Sequence, residues 1–448
     1  MSTPPSASAV AAAVGGGTRS AREVLDEHRA RADAHPHLNA LVAEDWHRAA
    51  AAAASIDIRR SRGEPLGPLA GVPLTVKDVV AVAGLPLTAG SRALAGNVAG
   101  TTAPAVARLL AADAVLVGKT NCPEFAFGST CANDLFGATA NPRFPERSPG
   151  GSSGGEAAAL AAGVSSLGIG TDFGGSLRWP AQCTGLVALR PSVGRVAAAG
   201  QVPGLAGSVG ATDRAWPSPT SMQGRFQVVG PLARTVADLA LALDVLAPGP
   251  RPEVGPVRIG WSDGARLGPV RAEIAEAVRT AAESLGPARE VPDAFAGCLQ
   301  PYNDLRAIDP MHDHLRSVRG REELVSAACL QTFEDSLGAG PDRLAEAWRT
   351  ALAAQDTALE IFDRFDVVLL PVAGGPACLP DGTVEVDGAT VGGWELMAHC
   401  RAVTLLGAPA VAVPVATSTE GLPISVQVVA APGRDHLALA VAAELERG

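Results

Sequence analysis

Two spacings of apolar residues alternate along the chain. In the longer segments apolar residues recur with the period of an amphipathic helix, whereas the shorter segments are nearly continuous apolar and β-branched runs. Such short runs are typical of strands that are buried on both faces of a sheet. Ser20 and Glu23 have the spacing of a capping box, which marks the start of the first long helix. The predicted helices cover residues 21–34, 43–61, 103–112, 154–166, 235–246, 272–285 and 435–446.

The short apolar runs lie between these helices. The predicted strands cover residues 114–121, 167–172, 257–262, 366–372 and 409–415, and residues 71–82 are predicted to form a buried strand followed by a turn. Strands that alternate with helices over the whole length predict an α/β fold, with a central mixed β-sheet flanked by helices on both faces. Residues 129–150, rich in Asn, Pro and Gly, are expected to be irregular.

The chain has no clear domain boundary and no internal repeat, so residues 1–448 are expected to form a single domain. Residues 197–225, rich in Gly, Pro and Ser, are expected to form an extended loop near the site. Residues 250–365 are expected to be a helical, variable region, and residues 366–448 to complete the sheet with strands and a last helix.

Composition narrows the classes of partner. The formal net charge of −10 argues against nucleic acid or an anionic membrane, because both attract basic surfaces. No apolar run is long enough to span a bilayer, and residues 1–17 lack the regions of a signal peptide. The seven cysteines are scattered without CxxC pairs, as in reduced proteins. These features predict a cytoplasmic protein with no nucleic-acid and no membrane partner.

Lysine is nearly absent from the chain. Lys77 and Lys119 are the only two lysines among 36 lysines and arginines. Arginine keeps its proton in a protein, whereas a buried lysine can lose it and act as a base. A lysine in such a chain is therefore a candidate for chemistry that needs a neutral amine, with chance as the open alternative.

The phosphate and metal motifs fail at required positions. Residues 118–120, GKT, resemble the end of a P-loop, but Asp113 stands where that motif needs a glycine. In GIGTDFG, Phe173 replaces the third glycine of a dinucleotide-binding motif. His312 and His314 form a close histidine pair, and a solvated helix face is favoured over a metal site there. We therefore expect no cofactor and no metal.

Two glycine–serine clusters are candidates for nucleophilic chemistry. RSPGGSSGGE, at 147–156, has the composition of a linker, yet Ser152 fits the G-x-S-x-G pattern of a nucleophile elbow. An elbow needs a strand before its serine, and the proline-rich residues 140–149 do not predict one. In the second cluster, GTDFGGS, the glycines before Ser176 allow backbone N–H groups to turn toward an oxyanion. A simple turn at the strand end stays open for this cluster.

These segments together resemble one protein family. GVPLTVKD, VGKTNCPEFAFG, PGGSSGGEAAALAAG and GIGTDFGGSLRWP follow in the order and spacing of the amidase signature enzymes, including the 24 positions from Ser152 to Ser176. GPLARTVADLALALDVL, DVVLLPV, GAPAVAVPV and GLPISVQVV match as well, so the resemblance covers nearly the whole chain. It implies that the amidase signature core lies at about residues 65–200.

The resemblance implies three catalytic side chains. Ser176 would be the nucleophile, Lys77 the base, and Ser152 the hydroxyl between them, on a cis peptide after Gly151. The backbone N–H groups implied as the oxyanion hole are those of Phe173, Gly174, Gly175 and Ser176. The expected activity is hydrolysis of a small-molecule carboxamide to a carboxylic acid and an amine or ammonia, through an acyl-serine.

Departures from the family pattern refine this expectation. The usual KPT appears as Arg190-Pro191-Ser192, so lysine is replaced at a structural position but kept at Lys77; Lys119 is expected to be structural. Trp179 stands where the A-type subunits of glutamine amidotransferases commonly carry Gln, which disfavours a glutaminase-type function. An acyl- or amide-transferring biosynthetic enzyme that uses the same acyl-serine is a further alternative. A non-catalytic binding role is disfavoured by the intact lysine and serines.

The substrate has no signature of its own in the sequence. The expected pocket residues are Phe125, Cys131, Trp179, Trp216 and Arg401. The expected partner is a small-molecule amide, and a homodimer is left open as the assembly state.

Overall fold

Fifteen β-strands and sixteen α-helices form the described part of the computed structural model, which covers residues 4–202, 221–249 and 255–448. The strands are β1 (Leu41–Glu44), β2 (Pro73–Lys77), β3 (Val115–Thr120), β4 (Ala132–Asn133), β5 (Gly137–Ala138), β6 (Leu167–Asp172), β7 (Val187–Arg190), β8 (Val228–Ala233), β9 (Ile259–Trp261), β10 (Ala288–Glu290), β11 (Val367–Pro371), β12 (Thr383–Val386), β13 (Ala389–Gly392), β14 (Ala410–Thr417) and β15 (Pro423–Ala430). The helices are α1 (Ala7–Gly15), α2 (Ala21–Ala34), α3 (Trp46–Ser61), α4 (Pro104–Ala111), α5 (Gly154–Ala161), α6 (Arg178–Thr184), α7 (Met222–Phe226), α8 (Val236–Leu246), α9 (Ala272–Ser284), α10 (Ala296–Ala307), α11 (His312–Val318), α12 (Ala327–Asp335), α13 (Pro341–Leu359), α14 (Gly393–Leu396), α15 (Ala398–Leu405) and α16 (Asp435–Arg447). None of these described helices has both the length and the apolar character needed to cross a membrane.

Eleven of the described strands form one sheet, in the spatial order β1-β3-β2-β6-β8-β7-β14-β15-β11-β9-β10. The pairs β2–β3, β2–β6, β9–β10 and β9–β11 are parallel, and the remaining neighbours are antiparallel. Strands β4–β5 and β12–β13 form two separate hairpins.

The central strands are covered on both faces. Every residue of β2, β6, β7, β8 and β11 is buried, which requires packed elements on each side of the sheet. This double burial explains why their sequences are continuous apolar runs rather than alternating ones. The α/β class and the mixed, helix-flanked sheet predicted from the sequence are confirmed.

The strand and turn predicted within residues 71–82 are both present. The strand ends at Lys77, where the chain turns and a later N–H bonds back to the Lys77 carbonyl. The helix predicted over 154–166 instead ends at Ala161, shortly before Gly163 takes a positive φ of 75°. Apolar residues beyond its end are buried by a loop, so burial alone overstated the length of this helix.

In two further segments the structure contains a type of element that was not predicted. The helix predicted over 43–61 begins at Trp46, because the preceding residues pair with β3 as β1 and Asp45 caps the helix. The segment 129–150, predicted to be irregular, contains the short hairpin β4–β5. In both segments the strands form because they pair with another strand, which the local sequence pattern did not reveal.

The expected loop at 197–225 and the expected helical, variable region at 250–365 are described in part. Within 197–225, residues 203–220, which include Trp216, lie outside the described residues, and the described end of this segment forms α7. Within 250–365, the described residues form five helices, α9 to α13, together with strands β9 and β10 at the edge of the sheet.

A buried carboxylate and two arginines connect β6, α6 and β7. Asp172 accepts two hydrogen bonds from the Arg178 guanidinium, at 2.9 and 3.0 Å, and Arg190 Nη1 lies 3.5 Å from its Oδ1. Burial raises the pKa of Asp172, but the two guanidiniums outweigh burial and hold that pKa well below its ordinary value. The same carboxylate accepts the backbone N–H groups of Gly175 (3.0 Å) and Leu177 (3.2 Å), which defines the turn after β6.

Asp172→Asn removes the charge that both guanidiniums share and leaves two buried cations without it. Breaking a buried ion pair in this way costs about 3–5 kcal/mol, so we expect the free energy of unfolding in urea to fall by that amount. Asp26→Asn breaks an exposed pair with Arg22 on α2 and serves as the control, with an unchanged midpoint. An Asp172→Asn protein as stable as the parent would contradict this structural role.

Candidate active site

The carboxyl ends of β2 and β6 bring a lysine and a threonine to one edge of the sheet. Lys77 is the last residue of β2, and Thr171 precedes the last residue of β6. Because the two strands are parallel neighbours, both ends open on the same side. In open α/β sheets this is the side on which ligands bind.

Three hydroxyl groups surround the Lys77 amine. Its Nζ lies 2.7 Å from Ser152 Oγ, 3.0 Å from Thr171 Oγ1 and 3.1 Å from Ser153 Oγ. A protonated amine donates to all three, whereas a neutral amine donates to two and accepts from the third, since a hydroxyl can do either. The site therefore accommodates both protonation states of Lys77 without losing a hydrogen bond.

Burial changes the acidity of this amine. The Lys77 side chain is fully buried, and this burial lowers its pKa to about 8, although the carboxylates of Asp172 and Glu156 act in the opposite direction. A larger fraction of the Lys77 amine is consequently neutral near pH 7 than for an exposed lysine. Burial also raises the pKa of Glu156 to about 7, against the hydrogen bonds of the Thr75 and Thr120 hydroxyls.

The segment before α5 is tightly packed. The Gly151–Ser152 peptide is cis, and Ser152 is buried. A Cβ at Gly151 would overlap the carbonyl oxygens of Gly128 and Thr130, so no larger residue fits there. The linker-like composition of this segment thus belongs to a closely packed turn.

Ser176 lies in the turn after β6, close to that segment. It is partly exposed, and its carbonyl accepts the Ser153 N–H at 3.2 Å, which links the two serine segments. Gly175 has a φ of 121°, which side-chain-bearing residues disfavour, and a Cβ there would lie 2.8 Å from Cβ of Cys400. The turn that presents Ser176 therefore requires glycine.

The N–H groups of this turn have different partners. Gly175 N–H donates to Asp172, as described above. Within the described residues, the N–H groups of Phe173, Gly174 and Ser176 have no hydrogen-bond acceptor. The Tyr302 hydroxyl donates to the Phe173 carbonyl at 3.1 Å and holds the turn from the side of α10.

A cavity of about 650 Å³ opens onto Ser152, Thr171 and Ser176. This volume is typical of small-molecule sites. Its described wall combines aromatic rings with polar and cationic side chains. The aromatic residues are Phe125, Phe127, Phe173 and Trp394, and the other polar or charged ones are Ser129, Gln223, Gln227, Asn303, Arg306, Thr332 and Arg401.

Of the five expected pocket residues, the structure places Phe125 and Arg401 on the cavity wall. Cys131 is buried outside the described lining, and Trp179 is buried within α6, where its Nε1 donates at 2.9 Å to a carbonyl of the wall. Both side chains are therefore buried among protein atoms, and neither is part of the described cavity wall. Trp216 lies outside the described residues.

Several residues of the site have no motif of their own. Ser153 and Thr171 lie inside the motif segments, next to Ser152 and Asp172. This position is the only feature of the sequence that could have indicated their place in the site. Arg306 and Asn303 on α10, like Trp394 on α14, lie in segments without any recognisable pattern. The packing of distant helices brings them to the cavity.

Lys119 and His314 both have packing roles. Lys119 Nζ pairs with Asp78 at 3.0 Å, and both side chains are fully buried, in agreement with the structural role expected for this lysine. His314, expected on a solvated helix face, is instead buried against Phe125 and Phe127, where burial lowers its pKa to about 3. Helix α11 is too short for apolar periodicity to reveal this burial.

A larger cavity of about 940 Å³ beside α10 and the end of α13 contains none of the three candidate catalytic residues. Across the described ranges, no group of three or more His, Cys, Asp or Glu side chains is arranged to hold a metal ion.

The fold and the site define the class: an α/β protein with a buried lysine and serines at a small-molecule cavity. The Amidase family model matches residues 23–285 and 305–439. Over 470 aligned positions the chain is 35% identical to the indoleacetamide hydrolase of Bradyrhizobium diazoefficiens, covering 97% of this chain and 85% of that protein. A crystal structure of an amidase superposes with a TM-score of 0.86 at 30% identity and 98% coverage of both chains.

A third similarity covers only part of the chain. The A-type subunit of the glutamyl-tRNA(Gln) amidotransferase of Chloroflexus aurantiacus is 43% identical over 240 residues, which are 53% of this chain and 46% of that protein. The chain belongs to the amidase family, the amidase signature enzymes, and it is an enzyme that hydrolyses carbon–nitrogen amide bonds. The family and the enzyme class inferred from the sequence are confirmed.

Because the chain has only two lysines, the Lys77 amine can be observed directly. Labelling with [¹³C]lysine gives two side-chain Cε signals by NMR, and Lys77→Met identifies the one that disappears. We expect the Lys77 signal to titrate near pH 8, with the charged amine below and the neutral amine above this pH. Titration at the ordinary lysine value of 10.5 would contradict the effect of burial.

Proposed function

We propose that the protein hydrolyses a small-molecule carboxamide through an acyl-Ser176 intermediate, with Lys77 as the base and Ser152 as the proton carrier between them. The observation that carries this proposal is the 2.7 Å hydrogen bond between the buried Lys77 amine and Ser152, at a cavity that Ser176 also lines. The products are a carboxylic acid and an amine or ammonia.

Acylation begins with the neutral form of Lys77. Ser176 Oγ bonds to the amide carbonyl carbon while its proton passes to Ser152, whose own proton passes to the Lys77 amine. The C–N bond of the tetrahedral intermediate then breaks, and the proton returns through Ser152 to the departing nitrogen. An amide nitrogen leaves poorly without that proton, so the relay serves both halves of the step.

Deacylation repeats the relay with water in place of the amine. Water attacks the acyl carbon and passes a proton to Ser152, whose own proton passes to the Lys77 amine. As the ester bond breaks, a proton returns through Ser152 to Ser176 Oγ. One water molecule is consumed for each amide, and the enzyme returns to its starting protonation state.

The carbonyl oxygen becomes negatively charged in both steps. The N–H groups of Phe173, Gly174 and Ser176 are the donors in this proposal, since they have no acceptor among the described residues. The Gly175 N–H, which the resemblance also implies, is engaged by Asp172 and would contribute through the shape of the turn. A donor of this kind is typically worth about 3–4 kcal/mol of the barrier.

The wall of the cavity favours a substrate with a flat apolar group. The rings of Phe125, Phe127, Phe173 and Trp394 offer faces and edges on which an aromatic substrate can pack. The relative that is 35% identical over nearly the whole chain is an indoleacetamide hydrolase. Arylacetamides and benzamides are therefore the first compounds to test.

Two alternatives use the same acyl-serine. A transferase would exclude water and admit an amine, and a glutaminase would release ammonia to a partner, as the similarity to part of an amidotransferase suggests. Trp179, which stands where the A-type subunits of such amidotransferases commonly carry Gln, disfavours the second alternative. Product analysis with and without hydroxylamine distinguishes hydrolysis from transfer, since a transferase forms hydroxamate in preference to acid.

Ser176→Ala removes the proposed nucleophile without changing the packing of the turn. We expect turnover to be abolished and a fluorophosphonate probe to label the parent enzyme but not the variant. Ser61→Ala, at an exposed position on α3, is the matched control and should keep both turnover and labelling. Substantial residual turnover in a folded Ser176→Ala protein would exclude this serine as the nucleophile.

Lys77→Arg keeps the positive charge but cannot supply a neutral amine, because arginine stays protonated. We expect kcat to fall by about 10²–10⁴-fold, nearly as far as in Lys77→Met. Lys119→Arg makes the same exchange at the lysine that pairs with Asp78 and should retain turnover if thermal unfolding shows that it folds. A Lys77→Arg enzyme with good activity would contradict the neutral-lysine mechanism.

A further inference from the structure

Arg306 in the cavity wall has no ion-pair partner among the described residues. Its guanidinium lies over the rings of Phe127 and Phe173, at 5.0 and 5.8 Å from their centroids. Within the described residues it forms no ion pair and donates no hydrogen bond. The Asp309 carboxylate, which acts on it from a distance, is engaged by two backbone N–H groups of α7, at 2.6 and 3.0 Å.

Arg401, on α15, is a second cation of this kind. Its guanidinium lies 4.6 Å from the centroid of Trp394, and its Nη1 donates at 2.7 Å to Oδ1 of Asn303, a neutral amide. Its buried Nε has no hydrogen-bond partner in the described structure. Burial lowers the pKa of Arg401, and Glu395, which acts in the opposite direction, forms no ion pair with it among the described residues.

Both arginines border the turn that follows β6. Arg306 covers the Phe173 ring, and a Cβ at Gly174 would lie 3.4 Å from Cγ of Arg401. Asn303, which binds Arg401, lies one helical turn before Arg306 on α10. The two cations therefore belong to one side of the cavity, and no Asp or Glu is found in its described lining.

The two other buried arginines of the described chain, Arg178 and Arg190, both pair with a carboxylate. They share Asp172, although the Arg190 Nε, like the Arg401 Nε, has no hydrogen-bond partner in the described structure. Arg401 is buried and Arg306 is half-buried, and neither has an anionic partner among the described residues. A cation withdrawn from water without such a partner is unfavourable, so an anion or a set of good acceptors is expected beside it. An anion supplied by the ligand would compensate the two cations of the cavity.

We propose that the substrate amide also carries a carboxylate and that Arg306 and Arg401 bind it. This inference rests on the proposed function, because the same cavity must hold both the acid group and the amide that is cleaved. Guanidinium groups match the geometry of a carboxylate, and the aromatic faces beside them help to orient them. The substrate class is then the monoamides of dicarboxylic acids, with an aromatic spacer suited to the walls.

Pairs of substrates that differ only in charge test this inference on the unmodified enzyme. 4-Carbamoylbenzoate and succinamate are compared with 4-acetylbenzamide and 4-oxopentanamide, in which a methyl ketone replaces the carboxylate, by measuring released ammonia. We expect kcat/KM to be about tenfold or more higher for the acid in at least one pair, since hydrogen bonds to charged groups are the stronger ones. Equal use of acid and ketone in both pairs would overturn the proposal.

Variants then locate the preference. Arg306→Gln and Arg401→Gln should each reduce the acid-to-ketone ratio of kcat/KM by about ten- to hundredfold, chiefly through KM for the acid. Arg306→Lys, which keeps the charge but loses the planar fork, should give an intermediate ratio. Arg349→Gln, at an exposed position on α13, should leave the ratio unchanged. Equal losses of kcat for acid and ketone would overturn the proposal, because the arginines would then act on the oxyanion.

Binding separates this inference from the catalytic proposal. Calorimetric titration of the Ser176→Ala protein with 4-carbamoylbenzoate and succinamate requires no turnover. We expect at least one acid to bind, and its Kd to rise by about ten- to hundredfold when Arg306→Gln is added. If neither acid binds, the carboxylate proposal is overturned even if Ser176 is the nucleophile. If an acid binds but the Ser176→Ala protein still turns over substrate, Ser176 is rejected as the nucleophile and the carboxylate proposal stands.

Discussion

The rest of the site depends on the ion pairs and hydrogen bonds of the buried Asp172 carboxylate. It compensates two buried guanidiniums, Arg178 from α6 and Arg190 from β7, and it also accepts two N–H groups of the turn after β6. A charged group buried at the end of a strand is stable only with such partners. The same contacts that stabilise three elements of the fold therefore set the position of Ser176.

The buried amine of Lys77 differs from the Asp172 carboxylate, because no ion pair with a described residue stabilises its charged form. It has hydroxyl partners instead of an ion pair, so burial favours its neutral form. Lys119 lies on the neighbouring strand β3, but its contact with Asp78 is an ion pair. Two lysines in adjacent strands thus have different chemistry, because one faces serine and threonine hydroxyls and the other faces a carboxylate.

The parts of the site that sequence could predict are local or belong to motifs. Buried runs predicted the strands, the scarcity of lysine drew attention to Lys77, and the glycine–serine clusters pointed to both serines. The contact between Lys77 and Ser152 spans 75 positions and depends on strand pairing, so only the family resemblance could suggest it. Trp179 suggested a pocket residue from its place in a motif, yet α6 packs it into the core, whereas Arg306 reaches the cavity on a helix without any motif.

The near absence of lysine also affects how the folded surface reacts. Both lysine side chains are completely buried, so no lysine amine is accessible to acylating or cross-linking reagents in the native state. The many arginines maintain solubility and ion pairing without offering a comparable nucleophile near neutral pH. Acylation of a lysine would therefore report that the sheet has opened, which makes the two amines an internal gauge of local unfolding.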